Sequence, residues 1–158
     1  MDKDKQKDFA RRISQANRTE LVVVTYEIII WELKDALNEH AAGNKPAYRE
    51  SLKRAQRFLG ELMNSLDFRY PIALKMMSLY EYVQRVLIGS DVSGENRGIE
   101  SAVNVLSGLR DSFEKISAND NSGPVMENAQ SIYAGLTYGR GHLNETNVAD
   151  NMNRGFLA

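Results

Sequence analysis

Apolar residues recur at steps of three and four through most of this sequence, and no other feature restricts the fold as strongly. Such steps are typical of α-helices with one apolar face, whereas no stretch alternates for long enough to predict a strand. Helices of about 20 residues with short connections pack as antiparallel neighbours. We therefore predict an all-α fold, an antiparallel four-helix bundle with an N-terminal arm and a loosely ordered C-terminal tail. The repeat is clearest in Leu52, Ala55, Leu59, Leu62 and Leu66, and in Ile99, Ala102, Leu106, Leu109, Phe113 and Ile116.

Four positions carry the signals of helix starts. Pro46 and Pro71 each precede an apolar repeat, and proline suits the first turn because its missing N–H would have no partner there. Asn17 is followed three residues later by Glu20, the spacing of a capping box. A further start is predicted near Ser93, after a short glycine-containing stretch.

The first bundle helix is apolar on more than one side, over the range 21–33. One apolar stripe would suffice for a surface helix of a small bundle, so the second stripe requires a cover. Either a fifth element of the chain packs over it, or it is a groove for a partner helix. The two stripes are Leu21, Val24, Ile28 and Trp31, and Val22, Ile29, Leu33 and Ala36.

The predicted organisation has three parts: an N-terminal arm (1–16), the bundle (17–117), and a linker with a C-terminal tail (118–158). The linker is polar and rich in helix breakers, so we expect it to be flexible. Beyond it, Val125, Ala129, Ile132 and Leu136 predict one short helix. We expect this helix either to dock into the bundle's own groove in competition with a partner or to stay disordered.

The sequence offers few candidates for catalytic residues or metal ligands. It has no cysteine and only two histidines, His40 and His142, and neither has a glutamate three residues before it. We interpret both as surface histidines, and Glu27 and Glu32 as solvated helix positions. The prediction is therefore no catalytic residue, no metal and no cofactor.

Charge and hydropathy restrict the partners and the compartment. The formal net charge is -1, which gives no electrostatic reason to expect nucleic acid. The charged N-terminus has no apolar stretch of a signal peptide, and the longest apolar run is too short and polar to cross a bilayer. We therefore expect a cytoplasmic protein that binds no nucleic acid and does not insert into membranes.

Four short motifs follow one another along the predicted helices and are specific in combination. They are Gln15 to Leu21 with Tyr26; Arg54-Ala55-Gln56, Glu61-Leu62 and Ser65-Leu66-Asp67; Leu79-Tyr80-Glu81-Tyr82 with Arg85 and Leu87; and Leu109-Arg110-Asp111-Ser112-Phe113. In this order, over the range 9–116, they resemble the motifs of the FliS family of flagellin export chaperones. The sequence departs from the family pattern at Arg18 in place of proline, at Glu27-Ile28 in place of an Asp/Asn-Gly pair, and at Phe113 in place of tryptophan.

The resemblance implies a helical bundle that clamps the C-terminal segment of flagellin, which is disordered in the monomer and helical in the filament. It implies that the segment before the first bundle helix, with Phe9 and Ile13, covers the binding groove; a frayed arm is the alternative. Contact with the flagellar export gate and a homodimer stay open. The expected client-binding residues are Ile13, Val24, Tyr26, Ile28, Leu62, Leu66, Tyr80, Tyr82, Leu106 and Phe113.

Two other classes of protein could carry the same pattern. A phosphotransfer module needs an exposed histidine in the middle of a helix, whereas His40 lies near a predicted helix end. A structural bundle that self-associates would show the same surplus of apolar surface.

Overall fold

Five α-helices form the part of the chain that the computed structural model describes, residues 3–126. No strand occurs among these residues, so the predicted all-helical class is confirmed. The four predicted bundle helices are preceded by one more helix, in the segment that was expected to be an arm. The helices are α1 (Lys3–Gln15), α2 (Arg18–Ala41), α3 (Lys45–Asn64), α4 (Ile72–Ser93) and α5 (Ile99–Ser117).

The predicted starts of α2, α3 and α4 are confirmed in their local chemistry. Asn17 caps α2: its side chain accepts the Glu20 amide N–H at 2.8 Å, and the Glu20 carboxylate accepts the Asn17 amide N–H at 2.9 Å. Asn44 caps α3 with Pro46 in the first turn, and Pro71 directly precedes α4. Each start is set by neighbouring residues, which is why the sequence reveals it.

The predicted helix start near Ser93 is wrong. Helix α4 continues through Gly89 to Ser93 and ends at Gly94, whose φ is 71°. Helix α5 begins at Ile99, after Gly98 with a φ of 82°. These left-handed conformations favour glycine, whereas a glycine inside a helix costs only about 1 kcal/mol and need not end it.

Helices α2 to α5 form a ring in which α2 and α4 each pack against α3 and α5. Ser51 near the start of α3 donates a hydrogen bond to Asp35 in the second half of α2. Tyr26 near the start of α2 contacts Phe113 near the end of α5. Both pairings show that α2 runs antiparallel to its two neighbours. The largest fully buried apolar side chains of this core are Tyr26, Tyr48, Tyr80, Ile29, Leu33, Leu52, Leu59, Leu87, Ile99 and Leu106.

Helix α1 lies outside the ring and covers one side of α2. Phe9 is only 5 % exposed and packs with Val24 and Ile28, and Ile13 and Trp31 border this cluster. The two stripes of α2 are thereby separated: one faces α1, and the other enters the bundle core. A segment of the chain itself therefore covers the surplus apolar surface.

Glu32 contradicts the expectation of a solvated carboxylate. Its side chain is 0 % exposed, and both of its oxygens lie 3.0 Å from Nε of Arg54 across the α2–α3 contact. The ion pair raises the pKa of the Arg54 guanidinium, chiefly through this hydrogen bond. A buried charge is tolerated only when such a partner satisfies it.

The segment after α5 also departs from expectation over the described residues. Instead of a free linker, it makes hydrogen bonds to the junction between α1 and α2, through Asp120 and Val125. Of the predicted tail helix only Val125 is described; Ala129, Ile132 and Leu136 lie outside the described residues. None of the described helices combines the length and apolar character needed to cross a membrane.

Candidate functional site

An open apolar cleft of about 250 Å³ lies where α2, α3, α4 and α5 meet at one end of the bundle. Its rim is the connection between α3 and α4 and the first turn of α4, where large apolar side chains face solvent. Phe68 is 54 % exposed, Tyr70 61 % and Ile72 59 %. Large apolar side chains exposed at an apolar cleft are typical of a binding site. The lining residues include Val22, Leu62, Leu66, Tyr70, Ile72, Met76, Tyr80 and Phe113.

A buried pair of tyrosines lies beside this cleft, and one of them, Tyr80, lines it. The hydroxyl groups of Tyr26 and Tyr80 share a hydrogen bond, and the ring centroids of Tyr26 and Phe113 are 5.7 Å apart. Burial raises the pKa of both phenols above the usual range, so both stay neutral at physiological pH. The hydroxyl pair satisfies two polar groups inside the core, and the neighbouring Phe113 lines the cleft.

A second apolar surface lies on α2 and is closed by α1. Phe9 fills the space beside Val24 and Ile28, and an ion pair between Arg12 and Glu27 borders the contact. Nη2 of Arg12 lies 3.0 Å from one Glu27 oxygen, and this hydrogen bond raises the pKa of the guanidinium. An isolated helix of 13 residues is marginal in water, so α1 depends on this contact for its own structure.

The ten residues expected to bind a client fall into three groups. One group lines the open cleft: Leu62, Leu66, Tyr80 and Phe113. A second forms the contact between α1 and α2: Val24 and Ile28 lie on α2 under α1, and Ile13 lies on α1 itself. The third lies in or against the bundle core: Tyr26, Leu106 and the half-buried Tyr82.

Sequence reasoning missed the rim of the cleft. Tyr70 and Ile72 line the cleft and are more than half exposed, as are Phe68 and Leu74 beside them in sequence, although all four are as large and apolar as core residues. A signal was available for Phe68 and Tyr70, because both precede Pro71 in the connection between α3 and α4, where no helical repeat requires them. Large apolar residues placed outside the helical repeat are candidates for contact with a partner.

His40, the histidine within the described residues, has a structural role. His40 is half-buried rather than free on the surface: its Nε2 lies 3.2 Å from the carbonyl oxygen of Gly94, and its ring meets Tyr48 edge-on at 5.0 Å. It thereby holds the connection between α4 and α5. No cluster of potential metal ligands occurs among residues 3–126, and His142 lies outside this range.

Taken together, these features define a class of protein: over residues 3–126 it is an all-helical bundle with an open apolar cleft and a second apolar surface under its own N-terminal helix. Comparison with models of known protein families identifies the family. A family model described as flagellar protein FliS matches residues 1–120. The chain therefore belongs to the FliS family, and this membership gives it the role of a flagellar export chaperone. No match was found among curated proteins.

Proposed function

We propose that this protein binds the helix-forming C-terminal segment of flagellin in a one-to-one complex. Binding would prevent premature polymerisation and keep flagellin competent for export. The observation that carries this proposal is the open cleft with its exposed apolar rim. An amphipathic client helix could place its apolar face in such a cleft, with anchors spaced three and four residues apart. The proposal places the complex in the cytosol.

Apolar burial can provide the affinity without a nucleotide. Burial of each large apolar client side chain stabilises the complex by about 1.5–3 kcal/mol, whereas ordering the client costs about 2–5 kcal/mol or more. A few anchors therefore give a complex that is tight and still reversible. Tyr80 is neutral and most of the cleft lining is apolar, with Asp67 as its charged side chain, and this favours an apolar client face.

The surface under α1 extends this proposal to a longer client. Val24 and Ile28 would bind a second part of flagellin once α1 moves away, so that α1 occupies the site while the protein is free. The four expected residues that line the cleft would bind the first part of flagellin. Tyr26 and Leu106 support these surfaces from the core and would not themselves contact the client, since both are 0 % exposed.

Calorimetry with full-length flagellin and with flagellin lacking its C-terminal segment tests the proposal. Ile72→Glu places a charge on the rim of the cleft, where the side chain is 59 % exposed, so the bundle should tolerate it. Loss of one apolar anchor should weaken binding about 10- to 140-fold. Ile88→Glu is the matched control, since Ile88 is 47 % exposed on the same helix and does not line the cleft.

Three outcomes would contradict the proposal. Equal binding of truncated and full-length flagellin would exclude the C-terminal segment as the client. Equal effects of Ile72→Glu and Ile88→Glu would exclude the cleft as the site. A dimer that forms without flagellin, increases with concentration in sedimentation and buries the rim at its interface would favour a self-associating structural bundle.

A further inference from the structure

The segment 118–126, here called the strap, turns back from the end of α5 and crosses the junction between α1 and α2. Three hydrogen bonds hold it there. The Val125 amide N–H donates to the Ala16 carbonyl at 3.0 Å. Nδ2 of Asn17 donates to the Asp120 carbonyl at 3.1 Å, and Oγ1 of Thr19 donates to the Asp120 carboxylate at 2.6 Å. These contacts join residues about a hundred positions apart in sequence.

The junction itself consists of two residues, and both are buried. Ala16 is 3 % exposed and Asn17 is 5 % exposed. Asn17 uses both ends of its side-chain amide: the oxygen caps α2 by accepting the Glu20 N–H, while the nitrogen donates to the strap. A helix that swings on a two-residue joint must change the backbone angles of that joint. Partners that fix the joint therefore oppose the swing.

Hydrogen bonds within the strap itself hold Asp120 in place for its contact with Thr19. Ser122 donates to Oδ1 of Asp120 through its hydroxyl at 2.6 Å and through its amide at 3.0 Å. This turn leaves the other carboxylate oxygen for Thr19. The donors of Ser122 and Thr19 lower the pKa of Asp120 to about 2, so the acceptor is charged at neutral pH. Charge-assisted hydrogen bonds of this kind are stronger than neutral ones.

We propose that the strap is a latch that locks α1 over Val24 and Ile28, so that its release is required before α1 can open. The inference rests on the proposed function, because it assigns to the strap the control of client access to the surface under α1. The client must then displace two segments from opposite ends of the described chain. The strap continues beyond residue 120, where the family match ends, so its Val125 contact lies outside the matched region.

The experiment compares two variants that remove the same hydrogen bond from opposite sides, Thr19→Val and Asp120→Ala. Ser112→Ala is the matched control, since it removes an exposed hydroxyl bond on α5 that does not touch the strap. Hydrogen exchange of the α1 amides measures opening directly and requires no client. Both latch variants should raise α1 exchange about tenfold, in proportion to one lost charge-assisted bond, and leave the α3 core unchanged. The double variant should add little to the effect of Asp120→Ala, which also removes the Ser122 bonds, because Thr19 and Asp120 share one interaction.

Calorimetry with the flagellin C-terminal segment is the second measurement. Affinity should rise by up to the same factor, since the client no longer competes with a locked cover. Unchanged α1 exchange in both variants would overturn the latch. Faster exchange with unchanged affinity would overturn its control of client access. Faster exchange in a protein that binds no flagellin at all would support the latch and refute the proposed function instead.

Discussion

Replacing Phe9 by alanine should release α1 while leaving the bundle folded. Phe9 is 5 % exposed and is the fully covered apolar anchor of a helix with 13 residues. Burial of a phenylalanine side chain contributes about 1.5–3 kcal/mol. A loss of that size shifts the equilibrium between docked and released α1 about 10- to 140-fold toward release. Because α1 lies outside the ring of α2 to α5, the core should keep its packing.

The sequence provides a natural reporter for this change. Trp31 is the single tryptophan of the chain, and it packs at the edge of the cluster that contains Phe9. Release of α1 should expose the indole, so the emission of Phe9→Ala should shift to longer wavelength. Helical circular dichroism should fall only by the contribution of α1, since this helix is too short to persist alone.

Phe68→Ala is the matched control for this experiment. It also removes a phenyl ring, but Phe68 is 54 % exposed in the connection between α3 and α4 and does not belong to the cluster beside Trp31. Its fluorescence should equal that of the unmodified protein. Unchanged emission and unchanged α1 exchange in Phe9→Ala would refute the reasoning, because α1 would then be held by something other than this side chain. A loss of cooperative unfolding of the bundle in Phe9→Ala would show instead that α1 is part of the core.

Two further predictions concern the charged contacts. Arg54→Met should destabilise the fold by about 3–5 kcal/mol in chemical denaturation, because it leaves the Glu32 carboxylate buried without a partner. The double replacement Arg54→Met with Glu32→Met should recover most of this loss, and a double variant as unstable as the single one would contradict the argument. Thr19→Val should raise the pKa of Asp120 from about 2 toward its ordinary value of 3.8, and carbon NMR titration of the carboxyl group measures it. Since folding lowers this pKa, the stabilisation by the Asp120 contacts is complete above the unfolded value and is lost as pH falls through about 2. A Thr19→Val titration that matches the unmodified protein would show that the hydroxyl does not reach the carboxylate.

Local chemistry explains what could be predicted about the helices. The capping box of Asn17 and Glu20 involves residues three positions apart, and its backbone partners are in the same turn. The apolar repeats likewise report which face of each helix is buried, and the two stripes of α2 correctly required two covers. Errors arose where a local signal had two meanings. The stretch beginning at Gly89 was taken for the end of α4, although the left-handed angles between α4 and α5 are those of Gly94 and Gly98.

The candidate site was predicted only in part, because exposure depends on neighbours distant in sequence. Leu62 and Tyr80 were identified from motifs, and the structure places both at the cleft. Tyr70 and Ile72 were missed as cleft residues, because nothing in the neighbouring sequence shows that no other helix covers them. Glu32 was misread for the opposite reason: the arginine that buries and satisfies it is on the next helix.

The sequence by itself determined the helical class, three of the helix starts and the surplus apolar face of α2, since each follows from residues within a turn or two of one another. Tertiary structure alone decided that α1 occupies this face and that the cleft at the other side of α2 stays open. It also decided that the strap closes on Ala16, Asn17 and Thr19. The physical reason is that a hydrogen bond or an apolar contact between residues about a hundred positions apart has no periodicity that a sequence could display. It depends on where the ring of helices brings the two ends of the chain together.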